Sequence, residues 1–471
     1  MATATTVTSP ATAGFADQDE ELQLDEVPVS GELPEWLHGS LVRVTPAKFD
    51  LPGGHTIRHW FDGLAMLHRF AIADGRVSYA NRFLRSDAYE RAQRGDGIGQ
   101  GFATDPCRAI FKRIQTLFSP DLTDNANVCL AQIGERYVAM TETPLPVEFD
   151  PRTLETVGHP PQAPGSVTTA HPHRDPSSGD ALNYAAHISA RNSYRVYATG
   201  ADGSHRVLAQ VPVKSPSYMH SFSVTERYAV LTEYPLLLNP MRLALSMSSF
   251  IESYEWKPER GTRFTVIDRA SGEVVRRGRA DAFFSFHHVN AWEEGDEVVV
   301  DLIAYDDARV IDELYIDKLR TAPSSTVSTL RRYRVRPGVE RVEEELLLDR
   351  KVELPRIDYA RVHARPYRVL YAESTRPGTR AWADEVLKFD LASGAVSTWS
   401  ADGCYPGEPI FVGRPGRDAE DDGVVLSVVF DSAAARSFLL VLDAGSFTEI
   451  ARAEAPHRVP FGFHGQFFRD A

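Results

Sequence analysis

Four histidines in this chain stand in short, dense contexts at the ends of strand-like runs: Ala170-His171-Pro172, Tyr218-Met-His220-Ser-Phe222, Phe286-His287-His288 and Phe463-His464-Gly465. They are 49, 67 and 177 residues apart, so no local metal motif of the HExxH kind exists. Three of the four neighbourhoods are aromatic, and a buried imidazole there needs a partner for each ring nitrogen. Neutral imidazole is a ligand for iron, zinc and copper, and four such rings with no cysteine set beside them argue against a zinc–thiolate site. A ligating histidine usually donates its second N–H to a carboxylate, a carbonyl or water. Three acids lie in apolar, strand-like settings: Glu142 in Met140-Thr-Glu-Thr143, Glu353 in Val352-Glu-Leu-Pro355 and Glu408 in Gly407-Glu-Pro-Ile-Phe411. Buried against histidine, each would orient the ring and offset a metal's charge.

Ligands so far apart must be gathered by the fold. Short runs rich in Val, Tyr and Phe recur along the chain: 76–83 (RVSYANRF), 136–143 (RYVAMTET), 227–233 (RYAVLTE), 297–304 (EVVVDLIA) and 423–430 (GVVLSVVF). A hairpin device recurs with them. Asp268-Arg-Ala-Ser-Gly272 and Asp390-Leu-Ala-Ser-Gly394 each sit between two such runs, and the turns starting at Asp150 and Asp443 are variants. The aspartate can bond the backbone inside the turn, and glycine, where present, supplies the positive φ. Many short antiparallel hairpins spread over a 471-residue chain favour radial repetition over one sandwich. The expected fold is therefore an all-β propeller, in which inner strands of several blades can aim one residue each at a common axis. Hairpin spacing is irregular and leaves the blade number open.

Composition narrows the partners. Fifty-one basic against 65 acidic side chains give a net charge of −14, which disfavours nucleic acid. Cys107, Cys129 and Cys404 form no CxxC pair, which suits a reducing cytoplasm. Residues 1–20 lack the basic and apolar regions of a signal peptide and read as a disordered tail, with 21–471 as one domain. No run of about 18 apolar residues spans a bilayer. Two segments break the β pattern. Residues 108–118 place apolar side chains on one helical face. Residues 235–251 (PLLLNPMRLALSMSSFI) read either as a core helix or as an apolar patch on Leu236, Leu237, Leu238, Met241, Leu243 and Leu245 that touches a membrane peripherally.

Taken together, these contexts resemble the carotenoid cleavage oxygenase family. The likeness runs from about residue 31 to 467. It includes His59-Trp-Phe61-Asp62-Gly63, Asp124-Asn-Ala-Asn127, Thr141-Glu142-Thr143, Met219-His220-Ser-Phe222, Phe286-His287-His288-Val-Asn290, Glu353-Leu-Pro-Arg-Ile-Asp-Tyr359, Glu408-Pro-Ile-Phe-Val412 and Phe461-Gly-Phe-His464-Gly465. The resemblance implies a seven-bladed β-propeller capped by loops and short helices. It implies one Fe(2+) per chain held by His171, His220, His287 and His464, with Glu142, Glu353 and Glu408 behind the last three. His171 is favoured over His173, and His287 over His288. Dioxygen would be the co-substrate, and a carotenoid or apocarotenoid polyene would be split to carbonyl products, with central cleavage to retinal as the finer expectation. Stilbene cleavage and retinoid isomerisation on the same iron are the alternatives. Stilbene-cleaving members commonly carry Lys where Thr141 stands, so Thr141 marks the substrate side and weakens the first alternative. No obligate protein partner is expected.

Overall fold

The computed structural model describes residues 9–103, 122–239, 242, 249–321, 325–379, 382–469 and 471. Seven antiparallel sheets of four to six strands, plus one two-stranded ribbon, follow one another along the chain. We number the sheets as blades 1–7. Blade 1 is built on Gly39–Lys48, Leu64–Ala73 and Arg76–Phe83; blade 2 runs from Cys129–Ile133 to Thr156–Gly158; blade 3 from Val167–Thr168 to His205–Pro212. Blade 4 runs from Ser223–Val224 to Val274–Ala280, blade 5 from His288–Glu294 to Glu343–Leu348, blade 6 from Val352–Arg356 to Ala395–Trp399, and blade 7 from Cys404–Pro406 to Glu449–Glu454. This is the seven-bladed propeller that the resemblance implied.

Two exchanged strands close the ring. Val29–Gly31, near the start of the chain, pairs with Glu449–Glu454 of blade 7. Gly465–Phe468, near its end, pairs with Gly39–Lys48 and becomes part of blade 1. A blade packed between two neighbours buries both faces. The middle strands Glu297–Tyr305 and Gly423–Asp431 are accordingly buried over nearly their whole length, and they read as Val/Leu/Ile-rich runs interrupted only by Asp301 and Ser427 between their ends. Each fully buried aliphatic side chain there contributes roughly 1.5–3 kcal/mol. The outermost strands Glu343–Leu348 and Ala395–Trp399 are mostly exposed.

The hairpin turns work as the sequence suggests. Asp268 Oδ1 accepts from the backbone N–H of Ala270 and Ser271, and Gly272 takes φ +74°. Asp390 repeats the arrangement with Ala392, Ser393 and Gly394. Where glycine is missing, the left-handed position is still needed, and Leu154, Ala435 and Phe447 occupy it at φ +60°, +52° and +59°. The bonds that Asp150, Asp431 and Asp443 accept hold those turns closed.

Three expectations change. The N-terminal tail is shorter than 20 residues. Pro10–Phe15 forms a 3-10 turn, and Phe15 is buried against Trp60, Trp382 and Phe461. Within 235–251, Leu236–Leu238 is a strand paired with Tyr254–Trp256 rather than part of a helix. Leu236 and Leu238 are turned into the core, so these two do not form an exposed patch. Met241, Leu243 and Leu245, the expected helix at 108–118 and Cys107 lie outside the described residues. Cys129 and Cys404 are both free thiols. Among the described residues, no helix is long and apolar enough to cross a membrane.

Candidate metal centre

All four histidines sit where an inner strand begins or breaks. His171 falls in the gap between Val167–Thr168 and His173–Arg174, both of which pair with Ala181–His187. His220 precedes Ser223–Val224 in blade 4, His287 immediately precedes His288–Glu294 in blade 5, and His464 immediately precedes Gly465–Phe468 in blade 1. An inner strand that stops short frees its last side chain from the ladder and lets it turn toward the axis. The four rings meet there: one nitrogen from each lies within 4.8 Å of all the others.

The glutamates come from the three remaining blades: Glu142 follows Arg136–Met140 of blade 2, Glu353 lies in Val352–Arg356 of blade 6, and Glu408 interrupts the inner edge of blade 7. His220 Nδ1 donates to Glu142 Oε1 at 2.8 Å, His287 Nδ1 to Glu353 Oε2 at 2.5 Å and His464 Nδ1 to Glu408 Oε1 at 2.7 Å. The expected pairing is thus the observed one. His171 has no carboxylate on its ring among the described contacts.

These bonds fix the tautomers. A neutral ring that donates from Nδ1 carries a bare lone pair on Nε2. His287 Nε2 and His464 Nε2 are 3.1 Å apart, and His171 Nε2 and His220 Nε2 are 2.9 Å apart. The His287 and His464 lone pairs face each other at 3.1 Å and repel, and a cation between them turns the repulsion into coordination; His171, with no Nδ1 partner among the described contacts, can instead donate Nε2–H to His220. Burial also disfavours the charged form of three of the rings. It pushes His171 and His220 well below the usual imidazole range and His464 down to about 4. The donor set therefore fits a divalent transition metal.

The three carboxylates differ in what steadies them. Burial pushes Glu142 up to about 8, opposed by the Tyr218 hydroxyl, which lies 2.9 Å from Oε1. Glu353 is held below the ordinary range, the buried cost being outweighed by His287, with the Tyr305 hydroxyl donating at 2.7 Å. Glu408 is the most buried of the three, yet it is held well below the usual range, because Arg356 donates to it at 2.8 Å, His464 lies against it and Arg43 is close by.

The neighbouring histidines are engaged elsewhere. His173 uses both ring nitrogens, on Phe222 O and the Tyr359 hydroxyl. His288 uses both on Ser223 Oγ and the Tyr234 hydroxyl. Neither ring has a nitrogen left for a metal. Thr141 is buried beside Glu142.

A wall of rings stands over the cluster. Phe61 and Phe286 lie 5.7 Å and 5.2 Å from the His220 ring, and Phe463 packs on Phe61 at 4.9 Å. Phe61 is placed by two buried amides. Asn125 Nδ2 donates to the carbonyls of Asp62 and Gly63, and Asn127 Nδ2 to those of Phe61 and Gly63. The two distant motifs, 59–63 and 124–127, are therefore one device.

The chain matches the retinal pigment epithelial membrane protein family over residues 15–469. It is 36% identical to a carotenoid isomerooxygenase from Galleria mellonella over 495 residues, covering 96% of this chain and 94% of that protein. The chain belongs to the carotenoid oxygenase family. The mouse (Mus musculus) beta,beta-carotene 15,15'-dioxygenase is 33% identical, with 97% and 91% of the two chains covered. A point variant of the Synechocystis apocarotenoid oxygenase superposes with a TM-score of 0.86 at 28% identity, covering 98% of this chain and 99% of that one. The same cyanobacterial oxygenase in a cobalt-substituted form gives a TM-score of 0.85 at the same identity and coverage. Like these relatives, this carotenoid oxygenase is a dioxygenase built on a seven-bladed propeller.

Sequence reasoning missed four polar residues of this oxygenase's centre: Tyr218, Tyr305, Arg356 and Arg43. Arg43 donates to the backbone carbonyls of Glu408 and Phe463 and is almost wholly buried. The signal for two of them was present. Tyr218 stands two residues before His220 and bonds that ring's glutamate, and Arg356 stands three after Glu353 on the same strand, although its own partner is Glu408 of the next blade. Tyr305 and Arg43 come from other blades and left no local trace.

Proposed function

We propose that this oxygenase holds one Fe(2+) through His171, His220, His287 and His464 and cleaves a double bond of a carotenoid or apocarotenoid with O2. The observation that carries the metal is the pair of bare Nε2 lone pairs 3.1 Å apart on His287 and His464, each ring fixed from behind by a carboxylate. Iron(II) bound there supplies the means to bind and activate dioxygen. The reaction balances without a reductant: the alkene and one O2 give two carbonyl products, one oxygen atom in each.

The chain's own groups do the rest. Four neutral rings leave the metal's charge uncancelled, and Glu353 and Glu408 offset it from behind without taking coordination positions. Phe61, Phe286 and Phe463 form an apolar wall on which an extended polyene can lie, and they exclude water from the reacting bond. Thr141 carries no charge to pair with a phenol, which favours a carotenoid over a stilbene. Central cleavage to retinal is the finer reading, drawn from the mouse relative's name. The isomerooxygenase name of the insect relative keeps isomerisation on the same centre as a second reading.

The test is incubation of protein purified without oxygen and loaded with Fe(2+), under 18O2, with β-carotene, apocarotenals and resveratrol, followed by mass spectrometry. Carotenoid-derived aldehydes carrying one labelled oxygen each are expected. Cleavage of resveratrol alone, or products with unchanged carbon count, would overturn the substrate and the reaction respectively.

A further inference from the structure

Between blade 2, which carries Glu142, and blade 3, which carries His171, lies a cavity of about 40 Å³ that none of the groups above uses. A water molecule needs roughly 10–15 Å³, so the space holds a diatomic molecule with room to spare. Its walls include Ile133, Val138, Met140, Pro146, Pro172 and Ala181.

The polar side chains that reach it are largely engaged, Arg136 at the rim lying 3.7 Å from Glu148 Oε2. Thr168 Oγ1 is bonded to Tyr184 O and to the Tyr197 hydroxyl, at 3.0 Å and 3.1 Å. Asn183 donates to Thr169 O and accepts from Tyr184 N. Thr143 Oγ1 donates to Thr123 O at 2.7 Å. His205 spends one nitrogen on Thr199 Oγ1 and the other on Pro161 O. A water inside would find few partners, whereas it needs two to four; an apolar cavity of this kind stays dry and takes up non-polar gas.

The cavity runs from an exposed rim to the centre's flank. Pro161 and His205 stand at the outside, while Met140, Thr168 and Asn183 are buried at the inner end. That end adjoins the segments that carry Glu142 and His171. Thr168 N donates to Glu142 O at 3.1 Å, and Pro172 directly follows His171. Among the described contacts, His171 is also the one ring of the four without a carboxylate behind it. The aromatic wall of Phe61, Phe286 and Phe463 does not line this cavity.

We propose that this inter-blade cavity is a holding site for dioxygen that feeds the four-histidine centre past His171, apart from the space the polyene occupies. The proposal rests on the oxygenase reading above. Crystals of the metal-free protein pressurised with xenon should show a xenon peak between Val138, Met140, Pro172 and Ala181. Ala181→Leu fills the cavity without touching a ligand or its carboxylate; it should abolish the peak and raise the KM for O2 several-fold, leaving the KM for the polyene and kcat at saturating O2 unchanged. Absence of xenon from the wild-type cavity overturns the proposal, as does an unaltered KM for O2 in a variant that has lost the xenon. Xenon is read without turnover, so a failure here is distinguishable from a lack of cleavage, which would strike the oxygenase reading itself.

Discussion

Glu353 and Glu408 hold a histidine in the same way, but replacing each by glutamine should have different consequences. Glu353 accepts from His287, from the Tyr305 hydroxyl and from the backbone of Leu354, all neutral groups apart from any charge on the ring. In Glu353→Gln the amide oxygen keeps part of this set, so the metal-free fold should lose about 1 kcal/mol, the net worth of one hydrogen bond. Glu408 is 1% exposed and accepts from the Arg356 guanidinium, while Arg43 lies nearby without a carboxylate bonded to it. In Glu408→Gln the part-buried Arg356 guanidinium loses the carboxylate bonded to it, while Arg43 keeps the nearby Glu373. Removing one partner of a buried pair costs 3–5 kcal/mol, and because the Arg356 side chain is 27% exposed, the lower end, about 3 kcal/mol, applies. Iron affinity should fall in both variants by roughly 10–100-fold, since each ring loses the carboxylate that orients it. Urea titration of the metal-free proteins, followed by circular dichroism, measures the first quantity; competition with a chromophoric chelator measures the second. A gap of about 2 kcal/mol between the variants, with similar loss of iron affinity, is expected. Equal unfolding free energies would refute the assignment of Glu408 as the counter-ion of Arg356.

His287→Ala and His464→Ala should each abolish iron retention and turnover; full activity in either, measured alongside metal analysis, would remove that ring from the ligand set. Tyr218→Phe removes the hydroxyl that opposes the burial of Glu142, so its iron affinity should fall by about tenfold with kcat/KM following it. Chelation of the wild-type iron should lower the melting temperature, and added Fe(2+) should restore it in a concentration-dependent way, because the metal binds the folded form alone. Ala435→Gly should raise unfolding free energy by about 0.5–1 kcal/mol, since an exposed alanine at φ +52° bears a left-handed cost that outweighs the extra entropy of glycine.

Strand positions were legible because a blade buries both faces of its middle strands: 76–83 is a strand end to end, and 297–304 and 423–430 fall one residue short. The hairpin aspartates were legible because their bonds are local. Blade number was not, since Gln23–Leu24, Val29–Gly31 and Gly465–Phe468 join sheets far from their place in the chain. The order-specific motifs of the family led to His171 over His173 and His287 over His288. The physical reason is a matter of partners 186 and 54 residues away: Tyr359 for His173 and Tyr234 for His288. Leu236–Leu238 misled for the opposite reason. Three leucines in a row carry no period, and the pairing with Tyr254–Trp256 that makes them a strand is invisible in the run itself.

The wheel also explains why the ligands are spread so widely. Seven blades surround the axis, and each supplies one group: histidine from blades 1, 3, 4 and 5, glutamate from blades 2, 6 and 7. Two of the carboxylates reach a histidine on an adjacent blade, so the bonds His287–Glu353 and His464–Glu408 also staple blades 5 to 6 and 7 to 1. The second of these crosses the point where the ring closes. His464 is delivered by the closing strand itself, its backbone N–H bonded to Val128 O and its carbonyl accepting from Val44 N. Closure of the propeller and completion of the ligand set are therefore one event. A cation that draws the four Nε2 atoms together stabilises the closed ring, and any change that loosens the last strand weakens the metal through His464, even when no ligand is altered.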